Sequence, residues 1–375
     1  MISFWEQQSC FEADVVVIGA GIIGLSTAIE LREMHPETRV IVLERGLFGE
    51  GASTKNAGFA CFGSMSEIAA DIRHYGLDVA LSVVERRWHG LTLLRGRLGD
   101  DAMEYEQLGG YELFFENTGW SDKDDVNRAL YPIFGQQVFS PAQDKLREFG
   151  FTSDKVTGLL FNPLEGQIHS GKMMLALRKK AMETGVEILT GVRVTAIEER
   201  PGHVRISGDI ANEEVQFRSS TTAVCTNAFL PELLPDLKIT PGRGQVLVTS
   251  PIVGLPFCGA FHFDEGYYYF RNAGNRILFG GGRNLDFQTE STVDFGLTET
   301  VQTSLESLLR NIIAPELELR IDHRWSGIMG FSHDKQPTVR LISSRVAIGF
   351  GCNGMGVALG SIIGRDVAVL LDSSS

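Results

Sequence analysis

The sequence has few cysteines and a deficit of positive charge. Its 375 residues include only 5 cysteines, an odd number, and no two of them form a Cys-x-x-Cys motif. Neither a disulfide framework nor a zinc site is expected, and we predict no bound metal. Lysines and arginines number 34 against 47 aspartates and glutamates, a formal net charge of −13. This balance disfavours partners that need a basic face, namely nucleic acids and anionic membrane surfaces.

The sequence also lacks an uninterrupted apolar run of membrane-spanning length. Residues 15–31 are apolar but are broken by three glycines and Glu30, and residues 346–371 are broken by Arg365 and Asp366. The N-terminus is polar and acidic, without the basic and apolar regions of a signal peptide. We therefore predict a cytoplasmic protein with no transmembrane segment.

What the sequence does contain is a dinucleotide-binding βαβ pattern in its first 45 residues. An apolar strand enters the turn Gly19-Ala20-Gly21-Ile22-Ile23-Gly24, a helical pattern follows, and a second apolar strand ends on Glu44. Gly19 permits the tight turn, Gly21 lets the backbone approach a pyrophosphate, and Gly24 lets helix and strand pack closely. The helix N-terminus presents free N–H groups to the phosphates, and Glu44 can accept hydrogen bonds from a ribose. We predict a bound dinucleotide.

A second glycine-rich turn between a strand and a helix occurs near the C-terminus. Residues 349–358 read Gly-Phe-Gly-Cys-Asn-Gly-Met-Gly-Val-Ala. A site for NAD alone does not need this segment. A flavin dinucleotide does, because its ring extends far from the adenosine, and a helix N-terminus could stabilise the negative charge that the ring gains on accepting a hydride.

Hydrophobic periodicity predicts both helices and strands along the rest of the chain. Helices are expected at residues 78–98, 171–185, 298–309 and 358–371, and strands at 111–115, 186–189, 192–197, 222–226, 244–249, 266–271, 276–280 and 345–349. The strands at 186–189 and 192–197 are expected to form a pair.

The order of these elements predicts an α/β fold with a discontinuous, Rossmann-like nucleotide-binding domain. The chain is too long for one ordinary core, so two domains are expected. We assign residues 1–90, 165–235 and 326–375 to the nucleotide-binding domain. Residues 91–164 and 236–325 form the inserted α+β substrate domain, which carries a mostly antiparallel sheet.

Several motifs occur in the order found in one family of flavoproteins. They are VVVIGAGIIGLSTAIEL at residues 15–31, GASTKNAG at 51–58, GQIHSGKM at 166–173, PGRGQVLVT at 241–249, YYYFR at 267–271 and GCNGMGVALG at 351–360. With them the chain resembles the D-amino acid oxidase-like (DAO) family of FAD-dependent oxidoreductases, which includes glycine, sarcosine and γ-glutamylputrescine oxidases. The resemblance implies FAD as cofactor and a substrate domain whose sheet covers the flavin.

The resemblance also implies which residues hold the cofactor. The expected FAD contacts are Gly19, Gly21, Gly24, Glu44, Arg45, Ser53, Thr54, Lys55, Asn56, Val194, Thr226, Asn227, Gly354, Met355, Gly356 and Val357. Some members attach flavin through a cysteine in the segment that corresponds to residues 327–334, and others through a histidine where Asn56 stands. Neither residue is present here, so noncovalent FAD is expected.

Other departures from the family pattern concern the substrate and oxygen. Glycine oxidase-like members bind the substrate carboxylate with an arginine, and Met329 occupies that position here. A lysine that sarcosine oxidases use towards oxygen corresponds to Leu278. A simple α-amino acid substrate and fast use of oxygen are therefore both in doubt.

Four residues are candidates for substrate binding and catalysis. Arg271 ends a strand and could clamp an anion, since guanidinium binds carboxylate in a bidentate manner. Tyr269 could line the pocket. Lys55 could orient water or oxygen beside the flavin, and His333 could lie near the ring, as could Lys335 in the same segment. The alternatives are an ion pair for Arg271, core packing for Tyr269 and a phosphate or surface contact for Lys55.

The predicted function is FAD-dependent oxidation of the C–N bond of a small amine or amino acid. Hydride would pass to flavin N5, and the imine would then be hydrolysed, with oxygen or another acceptor taking the electrons. The alternative is an FAD-dependent dehydrogenase of a 2-hydroxy acid or a glycerol-3-phosphate-like alcohol. That reaction needs a base, such as His262 or His333. A flavin-binding subunit without its own substrate and an NAD-only dehydrogenase are less favoured.

Overall fold

A computed structural model describes residues 2–115, 120–151 and 155–373. The strands in this part of the chain, in order, are β1 Glu12–Ile18, β2 Val40–Glu44, β3 Phe59–Ala60, β4 Gly110–Phe114, β5 Ser140–Pro141, β6 Gly158–Asn162, β7 Gly166–Gln167, β8 Glu187–Thr190, β9 Val192–Arg200, β10 His203–Ile210, β11 Glu213–Val224, β12 Thr240–Thr249, β13 Ala260–Phe263, β14 Tyr268–Ala273, β15 Arg276–Gly281, β16 Ile321–Phe331, β17 Thr338–Leu341 and β18 Val346–Phe350.

Most of the helices in the described residues lie in the first half of the chain, before β8. They are α1 Phe4–Ser9, α2 Ile22–Met34, α3 Met65–Tyr75, α4 Leu77–Leu98, α5 Lys123–Phe134, α6 Asp144–Glu148, α7 Ser170–Glu183, α8 Phe287–Glu290, α9 Glu299–Leu308 and α10 Gly356–Asp372, with short 3-10 turns at Ala52–Thr54, Asp101–Met103, Asn227–Glu232 and Arg283–Leu285 and a π-helical turn at Leu309–Ile313.

The first sheet forms around β1. Its order is β17-β18-β11-β1-β2-β8, with β9 and β10 attached through β11. The pairings from β18 to β8 are parallel, with Val15 opposite Val40 and Ile18 opposite Leu43. Successive residues of β1 point to opposite faces. Val15 and Val17 join the core under α2, α7 and α10, whereas Val16 and Ile18 join the core on the other face.

The second sheet has the order β16-β12-β15-β14-β13-β4-β6-β5. All its pairings are antiparallel except that of β4 with β13. One face is an aromatic core, in which the Phe261 and Phe270 rings stack with centroids 4.6 Å apart. Alternation along β13 and β14 turns His262 and Tyr269 to the opposite face. That face lies against the glycine-rich segments of the first sheet and forms one wall of the site.

The predicted α/β class with parallel and antiparallel strands is confirmed. Every strand and helix expected from periodicity is present, within a few residues at most ends; the strand expected at 222–226 is only the end of the longer β11. One expectation was wrong: β8 and β9 do not pair with each other. β8 extends the parallel sheet beside β2, and β9 forms a hairpin with β10. The domain boundaries stay a prediction, and residues 116–119 and 152–154 of the expected insertion lie outside the described part.

Candidate functional site

A cavity of about 800 Å³ lies where the two sheets meet. Its walls come from the Gly19 turn, residues 49–59, the turn after β11, the end of β16 and the start of α10. The second sheet adds Gly244, Val246, His262 and Tyr269. The size suits a large organic ligand, since ligand pockets typically span about 300–1,000 Å³.

The turn between β1 and α2 is shaped by its glycines. Gly19 has a φ of +102°, and a Cβ there would lie 2.9 Å from the Cys225 carbonyl oxygen. A Cβ on Gly24 would lie 1.9 Å from the Gly19 carbonyl oxygen. The N-cap residue of α2, Gly21, provides no side-chain cap, and Ser53 accepts a hydrogen bond from one first-turn N–H, that of Ile22. The other N–H groups at this end of the helix face the cavity and are available to an anion.

Glu44 is buried directly beneath this turn. Its carboxylate accepts hydrogen bonds from the backbone N–H of Ala20 and of Gly46, each at 2.9 Å. Arg45 lies on the cavity wall, where it pairs with Glu50 at 3.0 Å and Glu232 at 3.2 Å. Both residues are where the sequence placed them, at the end of β2 beside the turn.

Residues 51–58 cross the cavity wall as a short helical turn. The Ser53 hydroxyl accepts a hydrogen bond from Ile22 N–H at 3.1 Å, which ties this segment to the start of α2. Thr54 donates to the Gly49 carbonyl at 3.0 Å. Asn56 accepts from Gly58 N–H at 2.9 Å and from the Ser170 hydroxyl at 2.7 Å. These hydrogen bonds of Asn56 fix the shape of the segment. All four of its predicted cofactor residues, Ser53, Thr54, Lys55 and Asn56, line the cavity.

The Lys55 ammonium donates to the Glu50 carbonyl at 3.1 Å and lies 5.4 Å from the centre of the Phe295 ring. Burial lowers its pKa below the ordinary lysine value, and the nearby carboxylates of Glu50 and Glu44 offset this in part. The predicted role towards water or oxygen stays a prediction.

Seven further predicted cofactor residues line the cavity: Val194 on β9, Thr226 and Asn227 after β11, and Gly354, Met355, Gly356 and Val357 at the start of α10. Gly24 does not reach the wall; it packs against the Gly19 carbonyl. Asn227 accepts a hydrogen bond from Gly351 N–H at 3.2 Å and so joins the two segments. The Thr226 hydroxyl is buried and has no hydrogen-bond partner among the described residues. Buried polar atoms are rarely left unpaired, so this hydroxyl indicates a polar ligand.

Tyr269 and His262 bring the second sheet into the site. The Tyr269 hydroxyl has no hydrogen bond to any described residue, and burial raises the pKa of Tyr269 to about 12. His262 Nε2 lies 3.0 Å from Glu165 Oε2. Burial opposes a charge on His262, but the carboxylates of Glu165, Glu112 and Glu67 raise its pKa above the ordinary histidine value.

The structure does not bring Arg271 or His333 to the cavity wall. Arg271 is buried, and its guanidinium donates to the carbonyls of Ala57, Ile168 and Asn272 at 2.6–3.0 Å. Its contacts are therefore structural rather than those of an anion clamp. His333 is exposed on the loop after β16, and Lys335, two residues later, reaches the cavity in its place.

Two sets of wall residues include members that the sequence did not identify, namely Glu67 and Asp71 in one set and Arg283 in the other. One is a charged cluster in which Lys335 pairs with Asp71 at 2.6 Å and Glu67 pairs with the buried Arg87 at 3.1 Å. The other is Arg283, which follows three consecutive glycines at the end of β15. The three glycines before Arg283 could have indicated a turn into the site. The ion pair between α3 and the loop after β16 joins residues distant in sequence, so no local pattern indicates it.

Cys61, Glu165 and His262 offer three possible metal ligands within 4.8 Å of one another. Burial raises the pKa of the Cys61 thiol well above its ordinary value, and carboxylates raise it further. A metal prefers the thiolate, and Glu165 already pairs with His262, so these contacts do not favour a metal site.

The sequence profile of the family described as FAD dependent oxidoreductase (DAO) matches residues 14–370. The chain is 27% identical to a probable oxidoreductase OrdL of Haemophilus influenzae over 95% of this chain and 82% of that protein. It is 24% identical to the γ-glutamylputrescine oxidoreductase of Escherichia coli over 96% and 83%. The fold is similar to that of glycine oxidase from Geobacillus kaustophilus, with a TM-score of 0.78, 20% identity and coverage of 97% and 95%.

The residues that line the cavity are suited to hold FAD. The remaining N–H groups at the α2 N-terminus and the unpaired Thr226 hydroxyl suit its phosphates, and Glu44 lies where a ribose is expected. The α10 N-terminus has no side-chain cap and also lines the cavity. None of the helices in the described residues has the length and apolar content required to cross a membrane.

Proposed function

Because this chain belongs to the FAD-dependent oxidoreductase family, we propose that it oxidises the C–N bond of a small amine or amino acid. The observation that supports this most is the single cavity that joins the dinucleotide turn at Gly19 to the Tyr269 wall of the second sheet. The relatives named for glycine and for γ-glutamylputrescine support a C–N substrate. When bound, FAD supplies the hydride acceptor, and the imine product would be hydrolysed by water.

The protein's own contribution is to hold the cofactor and to favour the neutral amine. The Gly19 turn and Thr226 would bind the diphosphate, Glu44 the ribose, and residues 354–357 the flavin end. The absence of a linking cysteine or histidine supports noncovalent binding. Tyr269 packs against an apolar cluster of Ala57, Val246 and Leu278, of which Ala57 and Val246 lie on the cavity wall. An apolar wall disfavours an ammonium ion and lowers the pKa of a bound amine.

Tyr269 supplies a hydrogen-bond donor to this part of the cavity. Its raised pKa keeps the hydroxyl protonated at ordinary pH, so it can donate to a substrate oxygen or hold the substrate's orientation. Correct orientation of the reacting C–H bond contributes much of the rate in such reactions. No strong side-chain base is required once the amine is neutral.

The test is to record the visible spectrum of the purified protein before and after acid precipitation, then to add amines, amino acids and hydroxy acids anaerobically. A yellow, acid-released flavin that amines or amino acids bleach is expected. The bleaching rate should rise with pH between about 6 and 10 as the bound amine loses its proton. A flat profile, or bleaching by hydroxy acids alone, would contradict C–N oxidation. Reoxidation by oxygen or by a quinone then separates an oxidase from a dehydrogenase.

The His262–Glu165 pair favours a second candidate, oxidation of an alcohol in a 2-hydroxy acid or a glycerol-3-phosphate-like compound. Alcohol oxidation needs a base, and a histidine oriented by a carboxylate is suited to that role. However, the raised pKa of His262 keeps the ring protonated to a higher pH than usual, and a protonated ring cannot act as a base. Replacing His262 with Asn should abolish alcohol oxidation but leave amine oxidation measurable.

A further inference from the structure

Arg283 lies on the cavity wall at the end of β15, just after Gly281 and Gly282 turn the chain with positive φ. Its guanidinium carbon is 4.1 Å from the centre of the Phe331 ring and 4.8 Å from that of Phe287. The two rings hold the guanidinium through cation–π contacts, which leave its N–H groups free to donate. Among the described residues it has no ion-pair partner and donates no hydrogen bond.

The other half-buried or buried arginines around the site are all paired. Arg243 makes a bidentate contact with Glu290 at 2.8 and 3.1 Å. Arg45 pairs with Glu50 and Glu232, and Arg271 donates to three carbonyls. A cation that is partly removed from water without a counter-ion is costly. Of these arginines, only Arg283 has neither an ion-pair partner nor a hydrogen-bond acceptor among the described residues.

Arg283 also lies close to the predicted substrate wall. Gly242 on β12 is paired with Met329 on β16, and a Cβ on Gly242 would be 3.1 Å from Arg283 Nη1. A Cβ on Gly244, two residues along, would be 2.9 Å from Met329 Cε and 3.8 Å from the Tyr269 hydroxyl. Arg283, Met329 and Tyr269 therefore follow one another along the same wall.

Burial lowers the pKa of Arg283 below the ordinary arginine value, although Tyr267 and Glu290 offset part of this effect. The site thus carries a destabilised positive charge that a bound anion would compensate. A planar guanidinium held by two rings matches the planar, two-oxygen geometry of a carboxylate better than a single point charge would.

We propose that Arg283 binds a carboxylate of the substrate, in place of the arginine that Met329 replaces. The proposal rests on the proposed C–N oxidation and narrows its substrate to an amine that carries a carboxylate. Tyr269 lies nearer to the apolar part of the wall and would contact the substrate between the carboxylate and the reacting carbon.

The experiment uses the FAD-loaded protein and two small probes of similar shape, propionate and propionamide, with inorganic phosphate as a third. Binding is measured by ligand-observed NMR titration. The wild type should prefer propionate. Arg283→Gln should weaken propionate binding roughly 10- to 100-fold, the range expected for a charge-assisted contact, and leave propionamide unchanged. Arg283→Lys keeps the charge but loses the two-donor geometry. Its affinity for propionate should lie between those of the wild type and Arg283→Gln.

Arg73→Gln is the matched control, because it removes the same charge from the cavity rim, where Arg73 already pairs with Asp122 at 2.6 Å. It should bind propionate as the wild type does. Unchanged propionate binding in Arg283→Gln would overturn the proposal. So would tighter binding of phosphate than of propionate, or loss of FAD from the variant, which would assign Arg283 to the cofactor. Failure of C–N oxidation itself appears separately, as a flavin that no amine bleaches.

Discussion

His262 and Glu165 form a buried pair, with Nε2 of the histidine 3.0 Å from Oε2 of the carboxylate and neither side chain more than a tenth exposed. His262 comes from β13 in the second sheet, and Glu165 from the turn between β6 and β7. The pair therefore fixes the far wall of the cavity from two distant parts of the chain. It also makes the stability of this wall depend on pH.

We expect Glu165→Gln to lower the pKa of His262 and to destabilise the protein mainly at acid pH. The folded-state pKa of His262 is raised, so its contribution is fully present below the unfolded value of about 6.5 and is lost as pH rises through the folded value. Removing one partner of a buried pair costs about 3 kcal/mol. Histidine NMR titration and urea unfolding at several pH values measure both effects.

Glu104→Gln, which breaks an exposed pair with Lys172, is the matched control and should change little. A variant as stable as the wild type at pH 5.5 but less stable at pH 9 would contradict the assigned sign.

Gly24→Ala should abolish FAD retention and lower the free energy of unfolding by several kcal/mol, because the added Cβ would lie 1.9 Å from the Gly19 carbonyl oxygen. Gly96→Ala is the control, since Gly96 is also helical but has nothing within 4 Å of the new Cβ. That change should stabilise by about 0.5–1 kcal/mol. Flavin released by acid and thermal unfolding report the two effects. Normal FAD content in Gly24→Ala would show that the turn tolerates a side chain.

Thr226→Val should weaken FAD binding about 5- to 10-fold without destabilising the FAD-free protein. The Thr226 hydroxyl is buried without a partner, so removing it costs the FAD-free fold nothing and costs the complex a hydrogen bond. Thr92→Val, at an exposed hydroxyl bonded to the Trp88 carbonyl, is the control and should leave FAD affinity unchanged. Fluorescence titration of the FAD-free protein gives the affinity. Equal affinity in both variants would mean that Thr226 does not contact the cofactor.

Glu290→Gln, which removes a buried carboxylate from beside the second sheet, should lower the free energy of unfolding by about 3 kcal/mol at pH 7. Burial alone would raise the pKa of Glu290, but hydrogen bonds from Arg243, Thr298 and Gln245 bring it below the ordinary value. This contribution is present above the unfolded pKa and is lost as pH falls through the folded one, so wild type and variant should converge in acid. Glu148→Gln, at an exposed pair with Lys145, serves as the control. A difference that persists unchanged at pH 3 would rule out the ionised carboxylate as its source.

The parts of the site that local sequence determines could be predicted. Gly19, Gly24 and Glu44 lie within one βαβ unit, where spacing alone fixes the turn and the acid. Arg271 shows where this approach fails. By alternation it shares a face with Tyr269, but the carbonyls of Ala57 and Ile168, distant in sequence, accept its hydrogen bonds. Only the packing of those segments distinguishes it from Arg283.

For the loop after β16, the sequence could not show which side chain faces the cavity, for a similar reason. The family pattern places the segment at residues 332–337 beside the cofactor but does not say which side chain faces inwards. Lys335 has a φ of +56°, and this turn sends Lys335 towards Asp71 while His333 stays exposed. Local backbone conformation of this kind depends on contacts such as that of Asn353 with the Lys335 carbonyl at 2.9 Å.

The position of β1 at the centre of the first sheet has a consequence for synthesis of the chain. One neighbour, β2, is made within 30 residues, but the other, β11, is made almost 200 residues later, and α10 comes last. Until then, the apolar edge of β1 lacks its partner and the Cys225 side of the Gly19 turn is missing. A ribosome-bound chain should therefore be unable to retain FAD until residues 346–372 have emerged, and it should depend on protection of that edge in the meantime.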